Sequence, residues 1–413
     1  MLTNPLAKLS FEVRQYLLVT CSYWGFTLTD GALRMLVILH FHQLGYTPLQ
    51  IALLFLFYEI FGVVTNLLGG WLGARLGLNR TMNMGLALQV IALAMLVVPS
   101  AMLTIPWVMA AQALSGIAKD LNKMSAKGAI KLLVPEDAPT ALYRWVATLT
   151  GSKNALKGLG FFMGGLLLAT VGFRGAVLAM AIAIALIWLI CLVYLQQDLG
   201  KAKNKPKFTA IFSKSRAVNC LSAARLFLFA ARDVWFVVAL PVYLAQTLGW
   251  DAWSVGSFLA VWVMGYGLVQ TQAPRLTGRA SGALPDGQTA VLWAAVLAVS
   301  PAVIALALTF NVAPAVSLLG GLLVFGLLFA VNSSLHSYLI VSYADADGVA
   351  LDIGFYYMAN ALGRLAGTIL SGWIFQAYGL AACLWFSALF VVLAALLSLL
   401  LPTQQRAGEV PPQ

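Results

Sequence analysis

Apolar runs of about twenty residues, the length that crosses a hydrocarbon layer, recur twelve times along this 413-residue chain. They cover 16–42, 48–72, 81–102, 106–131, 142–170, 175–196, 218–246, 253–273, 288–310, 314–342, 349–376 and 380–402. Only 9% of the residues are charged and 61% are hydrophobic, whereas a soluble domain carries about 25% charged residues. The chain therefore reads as an all-α polytopic membrane protein of twelve transmembrane helices. The N-terminal MLTNPLAKLSFEVRQ lacks the ordered regions of a removable signal peptide. The four cysteines, Cys21, Cys191, Cys220 and Cys383, have no metal-ligand spacing and read as small core hydrophobes. No cofactor, metal or nucleic-acid partner is expected, and nothing suggests an enzyme.

The charged loops set an orientation. The longest, QDLGKAKNKPKFTAIFSKSRA at 197–217, holds Lys201, Lys203, Lys205, Lys207, Lys214 and Arg216. Lys and Arg collect on the cytoplasmic side of membrane proteins, so this segment is expected to be a basic cytoplasmic linker. It would join an N-terminal six-helix half, 1–196, to a C-terminal half with a short tail, 218–413. Arg75, Arg80, Lys131, Arg144, Arg275 and Arg279 fall on the same side if the helices alternate, which also puts both termini inside. Asp345, Asp347 and Asp352 dissent, but carboxylates weigh little in this rule. Leu44-Gly45-Tyr46 and Leu248-Gly249-Trp250 lie 204 residues apart, as do Arg75 and Arg279. Asn154-Ala155-Leu156 returns as Asn360-Ala361-Leu362. The halves are thus expected to be pseudo-repeats.

Charges inside the runs are the unusual feature. Runs 3, 6, 9 and 12 have none in their apolar cores, while runs 1, 2, 4, 5, 7 and 11 carry Asp30, Arg34, Glu59, Lys119, Asp120, Lys123, Lys127, Lys153, Lys157, Arg225, Arg232, Asp233 and Arg364. At ~100° per residue, Gln112, Gly116, Lys119, Asp120, Lys123 and Lys127 share one face. Thr150, Lys153, Lys157, Gly160 and Gly164 form a similar stripe. A charge at bilayer depth costs at least ~3 kcal/mol, so these faces must meet water or an anion. Every third helix would face lipid, and the rest would enclose a cavity.

Two short motifs extend the pattern. GGWLGARLGLNR resembles the loop signature G-x-x-x-D-R-x-G of the major facilitator superfamily, with Gly70, Arg75 and Gly77 in place but Ala74 where the acid belongs. Gly160-Phe-Phe-Met-Gly164-Gly165 is similar to that family's G-P-x-x-G-G without its proline. Further stretches, FTLTDGALRMLVILHFHQLGY, LSGIAKDLNKMSAKGAIKLL, GSKNALKGLGFF, LGKAKNKPKF and SAARLFLFAARDVWFVVALPVYL, resemble the ArsJ-type organoarsenical permeases within the superfamily. That resemblance implies export of 1-arseno-3-phosphoglycerate across a bacterial inner membrane. The ester is made by glyceraldehyde-3-phosphate dehydrogenase, a functional rather than necessarily physical partner.

The residues alone imply an anion site. Lys119, Lys123, Lys153, Lys157, Arg34, Arg225, Arg232, Arg364, Tyr357 and Asn360 are the candidate substrate groups; a phosphate monoester brings roughly −1.5 to −2 charge, and arginine forks suit its oxygens. Lys153 and Lys157 lie ~14 and ~20 Å into their helix, too deep to snorkel. Lys127 and Lys131 read instead as snorkelling lysines. Arg34 with Asp30, and Arg232 with Asp233, can equally form structural ion pairs, whereas Arg364 has no local acid on its own helix. Asn154, Asn332 and His336 are neutral candidates for the cavity wall. Without a nucleotide-binding motif, transport is expected to be secondary. Glu59, which lacks a cation one turn away, leads Asp30 and Asp120 as candidate proton carrier. His40 and His42 read as interfacial. A sugar-phosphate or other organic-phosphate exporter or exchanger fits the same charges.

Overall fold

A computed structural model describes residues 10–45, 54–134, 139–195, 199–201, 215–250, 252–277, 284–346 and 348–403. Most of the basic linker, with Lys203, Lys205, Lys207 and Lys214, lies outside them, as do Arg279, Asp347 and the His42 side chain.

Apolar runs become helices wherever lipid withholds partners from the backbone, since only internal hydrogen bonds remain. The helices are α1 (Phe11–Gln43), α2 (Leu56–Leu76), α3 (Leu78–Leu96) and α4 (Ile105–Leu133). Pro139–Tyr194 is two helices, α5 (139–171) and α6 (173–194), meeting at Gly172. Then come α7 (Arg216–Phe236), its continuation α8 (Ala239–Gln246), α9 (Ala252–Thr277), α10 (Gly287–Thr309) and α11 (Pro314–Tyr343). Val349–Ser398 again divides, into α12 (349–378) and α13 (380–398) at Gly379. Seven of these stretches, two of them the divided ones, are long and apolar enough by themselves to cross a membrane. The polar side chains of α1, α3 and α4 dilute their apolar runs, and these helices complete the twelve crossings.

Local chemistry fixes several boundaries. Pro106 and Pro314 open α4 and α11, where a missing N–H costs nothing. Asp286 caps α10, its carboxylate accepting from the Thr289 backbone at 3.0 Å. Gly172 (φ 68°, ψ 177°) and Gly379 (φ 78°, ψ −176°) turn the chain between helices in a single residue. That backbone region is essentially reserved for glycine. The two turns sit at equivalent points of the repeat, which the internal sequence similarity anticipates.

Helices α3, α6, α10 and α13 expose rows of large apolar side chains, among them Ile91, Ile182, Leu186, Val299, Val303, Leu389 and Leu396. These are runs 3, 6, 9 and 12, the ones expected to face lipid. All four cysteines are free, and Cys21 is exposed rather than packed in the core.

The end of the bundle carrying both described chain termini is tightly shut. Tyr143 of α5 shares a 2.7 Å hydrogen bond with Thr277 of α9 and packs on Tyr338 of α11, ring centres 4.5 Å apart. Lys131 donates to the Ser342 carbonyl at 3.2 Å, so this lysine binds a helix end instead of reaching for headgroups. Helices α2 and α12 touch through bare backbone: a Cβ on Gly70 would stand 2.6 Å from the Ala350 carbonyl, and one on Gly354 2.6 Å from that of Asn66. Arg75 covers the face of Trp71 at 5.0 Å, taking an aromatic partner in the motif where Ala74 replaces the acid.

Candidate functional site

The faces that α1, α2, α4, α5, α7 and α12 turn inward gather nine cations (Arg34, Lys119, Lys123, Lys127, Lys153, Lys157, Arg225, Arg232, Arg364) and four carboxylates (Asp30, Glu59, Asp120, Asp233). The surplus is five positive charges, so protein carboxylates alone cannot neutralise the site.

A continuous ion ladder runs across one level of it. Arg34 of α1 reaches Glu59 of α2 at 3.1 Å. The same Glu59 oxygen lies 3.4 Å from Arg364 of α12. The Arg364 Nε donates to Asp233 of α7 at 3.2 Å, and Asp233 also accepts from Arg232 at 2.6 Å. Five groups on four helices thus alternate in sign and tie α1 and α2 to α7 and α12.

This ladder corrects three expectations. Glu59 is not the least neutralised acid, because two arginines 25 residues before it and 305 after it converge on its carboxylate. Arg364 has no acid within a turn of it on its own helix but holds two from others. Asp30 does not take Arg34 as its ion pair; it accepts the Tyr58 hydroxyl at 2.8 Å, while Arg34 stacks over Tyr58 and Phe55 at 4.9 and 5.2 Å.

Beyond the ladder the cations rest largely on aromatic faces. Lys119 lies 3.8 Å from the centre of the Tyr58 ring. Lys123 and Lys127, one turn apart on α4, share the Tyr357 ring of α12 at 4.4 and 5.1 Å. Arg225 sits 3.9 Å above Phe229; its Nε donates to Asn360 at 2.8 Å, and its Nη1 to the Ser333 carbonyl at 3.1 Å. A ring quadrupole attracts a cation without supplying a counter-charge, so these groups are held in place but not neutralised by it. Asp120 neutralises part of α4, at 2.6 Å from Lys123 and 3.6 Å from Lys119. The strongest charges acting on Lys153 are Lys123, Lys157, Arg364 and Lys119, all positive. Lys157 has Asp30 as a negative neighbour, among Arg34, Arg364 and Lys119.

Lys127 requires a further correction. It is 3% exposed and lies under Tyr357, in the depth of the site, not stretched toward headgroups. Its position near the end of α4 suggested snorkelling, but that end is sealed by α11 and α12. Exposure falls along the site, from 31% at Arg364 and 25% at Arg34 to 3% at Lys127 and Arg225. The cavity therefore opens toward the end opposite the termini and closes over Lys127 and Arg225.

Two neutral candidates serve elsewhere. Asn332 donates to the backbone of Trp293 and Leu328, stitching α11 to α10, and does not face the basin. Asn154 donates to Gln270 of α9 at 2.5 Å, joining α5 to α9 across the molecule. His336 is fully buried near Arg225 with neither ring nitrogen bonded. His40 stacks on Phe173 at 4.1 Å near the open end. Sequence reasoning missed Tyr58, Phe229 and Gln270 as site residues. The signal for the first two was present: Tyr58 adjoins Glu59, and Phe229 stands four residues after Arg225 and three before Arg232.

The family profile of the Major Facilitator Superfamily matches residues 16–351. The chain belongs to that superfamily. It is a membrane transporter of the secondary type, not an enzyme. Among solved structures it is similar to the human organic anion transporter MFSD10 (TETRAN), with 18% identity, TM-score 0.73, and 94% of this chain and 99% of that one covered. It is similar also to the E. coli fucose:proton symporter FucP, at 14% identity and TM-score 0.72, covering 94% and 98%. A bacterial homologue of the iron transporter ferroportin in an outward-facing state shows 16% identity and TM-score 0.73, covering 95% and 99%. At these identities the likeness is one of fold. No curated protein matches the sequence. In a major facilitator transporter the groups lining the central cavity meet the cargo, and here they are predominantly cationic.

Proposed function

We propose that this transporter exports a small organic anion bearing phosphate or arsenate groups, with 1-arseno-3-phosphoglycerate as the cargo, and so removes arsenate from the cell. The observation that carries the reading is the surplus of five cations, with Lys127, Lys153 and Arg225 facing no carboxylate within ion-pair distance among the described residues. A multivalent anion supplies the missing charge. Arginine forks and lysine points together suit tetrahedral oxyanions, and the resemblance to ArsJ-type permeases names one. The human organic anion transporter of the same fold is compatible with anionic cargo.

The mechanism follows from repulsion. The two six-helix halves, joined by the linker at 197–217, close around a bound anion because it screens the mutual repulsion of Lys123, Lys127, Lys153 and Arg225. They then rock, exchanging the shut end, held by the α2–α12 and α5–α9 contacts, for the open one. With both termini cytoplasmic in a bacterial inner membrane, the shut end is the inner gate and the described state faces outward. Glyceraldehyde-3-phosphate dehydrogenase supplies the cargo from arsenate. Proton coupling through Glu59 requires that its arginines first release it.

Uptake of the arsenylated ester into inverted vesicles tests the assignment, with a stable sugar phosphate as competitor. Lys153→Ala or Arg225→Ala is expected to abolish uptake while leaving protein in the membrane. Transport of sugar phosphates but not of the ester would move the assignment to organic-phosphate exchange.

A further inference from the structure

Glu59 differs from the other three carboxylates of the site. Asp30, Asp120 and Asp233 are 6%, 2% and 0% exposed, each fixed by a short bond: to Tyr58, to Lys123 and to Arg232. Glu59 is 33% exposed, and it sets one oxygen against two guanidinium groups from different helices, at 3.1 Å from Arg34 and 3.4 Å from Arg364. Both arginines are open to the cavity. A carboxylate oxygen bridging two planar donors does what a phosphate or arsenate oxygen would do there.

Each arginine also has a second restraint independent of Glu59. Arg364 is anchored through its Nε by buried Asp233, which leaves its Nη groups directed at Glu59. Arg34 lies over the rings of Phe55 and Tyr58. Removal of Glu59 from between them therefore leaves two cations still in place.

We propose that Glu59 is a tethered competitor of the cargo: an internal anion that occupies Arg34 and Arg364 in the empty cavity and is displaced when an external anion arrives. The proposal rests on the reading of the cavity as an oxyanion site and adds how that site is gated. Displacement also has a mechanical result. The Glu59–Arg364 bond ties α2 to α12, so cargo that takes Arg364 removes one tie between the two sets of six helices. Occupancy and freedom to rock are thereby coupled through one side chain. Asp233, on the same arginine, has the opposite part: it is a positioning residue that keeps Arg364 aimed at the cavity.

The two carboxylates make the test one of sign. Binding of 3-phosphoglycerate, a stable probe, is measured by calorimetry on the purified full-length protein at fixed low salt. Glu59→Gln is expected to bind it roughly tenfold more tightly, the scale of losing two partly exposed ion pairs. Asp233→Asn is expected to bind it more weakly. Equal or weaker binding by Glu59→Gln beside a binding wild type overturns the competitor role alone. Absence of binding by wild type and both variants overturns the oxyanion reading itself, and this inference with it. If Glu59→Gln fails to elute as a folded species, Glu59→Asp decides: its shorter stem releases at least one arginine, so tighter binding supports the competitor and weaker binding refutes it.

Discussion

Lys127 offers the sharpest test of whether the cationic surplus serves function at the expense of stability. Its ammonium is buried at 3% exposure, and the charges acting on it are Arg225, Lys153 and Lys123, every one repulsive. Against this stands the Tyr357 ring at 5.1 Å, an attraction of about 2 kcal/mol when desolvated. Withdrawing an ammonium from water costs several kcal/mol even after relaxation. The empty protein is therefore destabilised at this point by ~1–4 kcal/mol. Lys127→Met keeps an unbranched stem of similar volume and removes the charge. Thermal unfolding of the detergent-solubilised protein should shift upward by about 1–5 °C. The extra stabilisation conferred by 3-phosphoglycerate should shrink, and vesicle transport should be lost. Lys127→Arg, which retains the charge, should give no such rise. A lower Tm for Lys127→Met, or transport that survives it, would refute the reasoning: the ammonium would then have a stabilising partner, or no part in binding.

The remaining predictions concern the shut end and the ladder. Tyr143→Phe deletes the 2.7 Å bond to Thr277, worth about 1 kcal/mol. The closed inner gate should become roughly fivefold less favoured, measured as faster labelling of a cysteine placed at Ser342. Gly70→Ala would put a Cβ 2.6 Å from the Ala350 carbonyl, so the same cysteine should label faster in that variant too; an unchanged rate would mean that this contact does not hold the gate shut. Arg364→Ala should abolish vesicle uptake and leave Asp233 with Arg232 alone, whereas Arg364→Lys, with one point charge for two acids, should restore it only partly. Normal uptake by the alanine variant would remove Arg364 from the site.

The twelve helices were legible because lipid makes hydrophobic run length decisive, and the ends of α5 and α11 fall within a few residues of expectation. The basic stripes of α4 and α5 were legible for a related reason: the helical period alone puts Lys119, Lys123 and Lys127 on one face. Pairing was not legible. A search one turn along the same helix finds no cation for Glu59 and no acid for Arg364, yet the two meet across 305 residues of sequence. Aromatic partners were hidden likewise, since Tyr357 serves two lysines of α4 from α12. Lys127 was misread because distance from a helix end measures depth only where that end is open to water.

The one-residue turns at Gly172 and Gly379 bear on how the protein can be handled. At two corners of the face opposite the termini, consecutive helices share almost no connecting chain. Epitope tags, protease sites or fluorophores placed there would have to break a helix to fit. Each such pair must also travel together, so force applied to α5 or α12 during rocking is handed at once to the lipid-facing helix behind it.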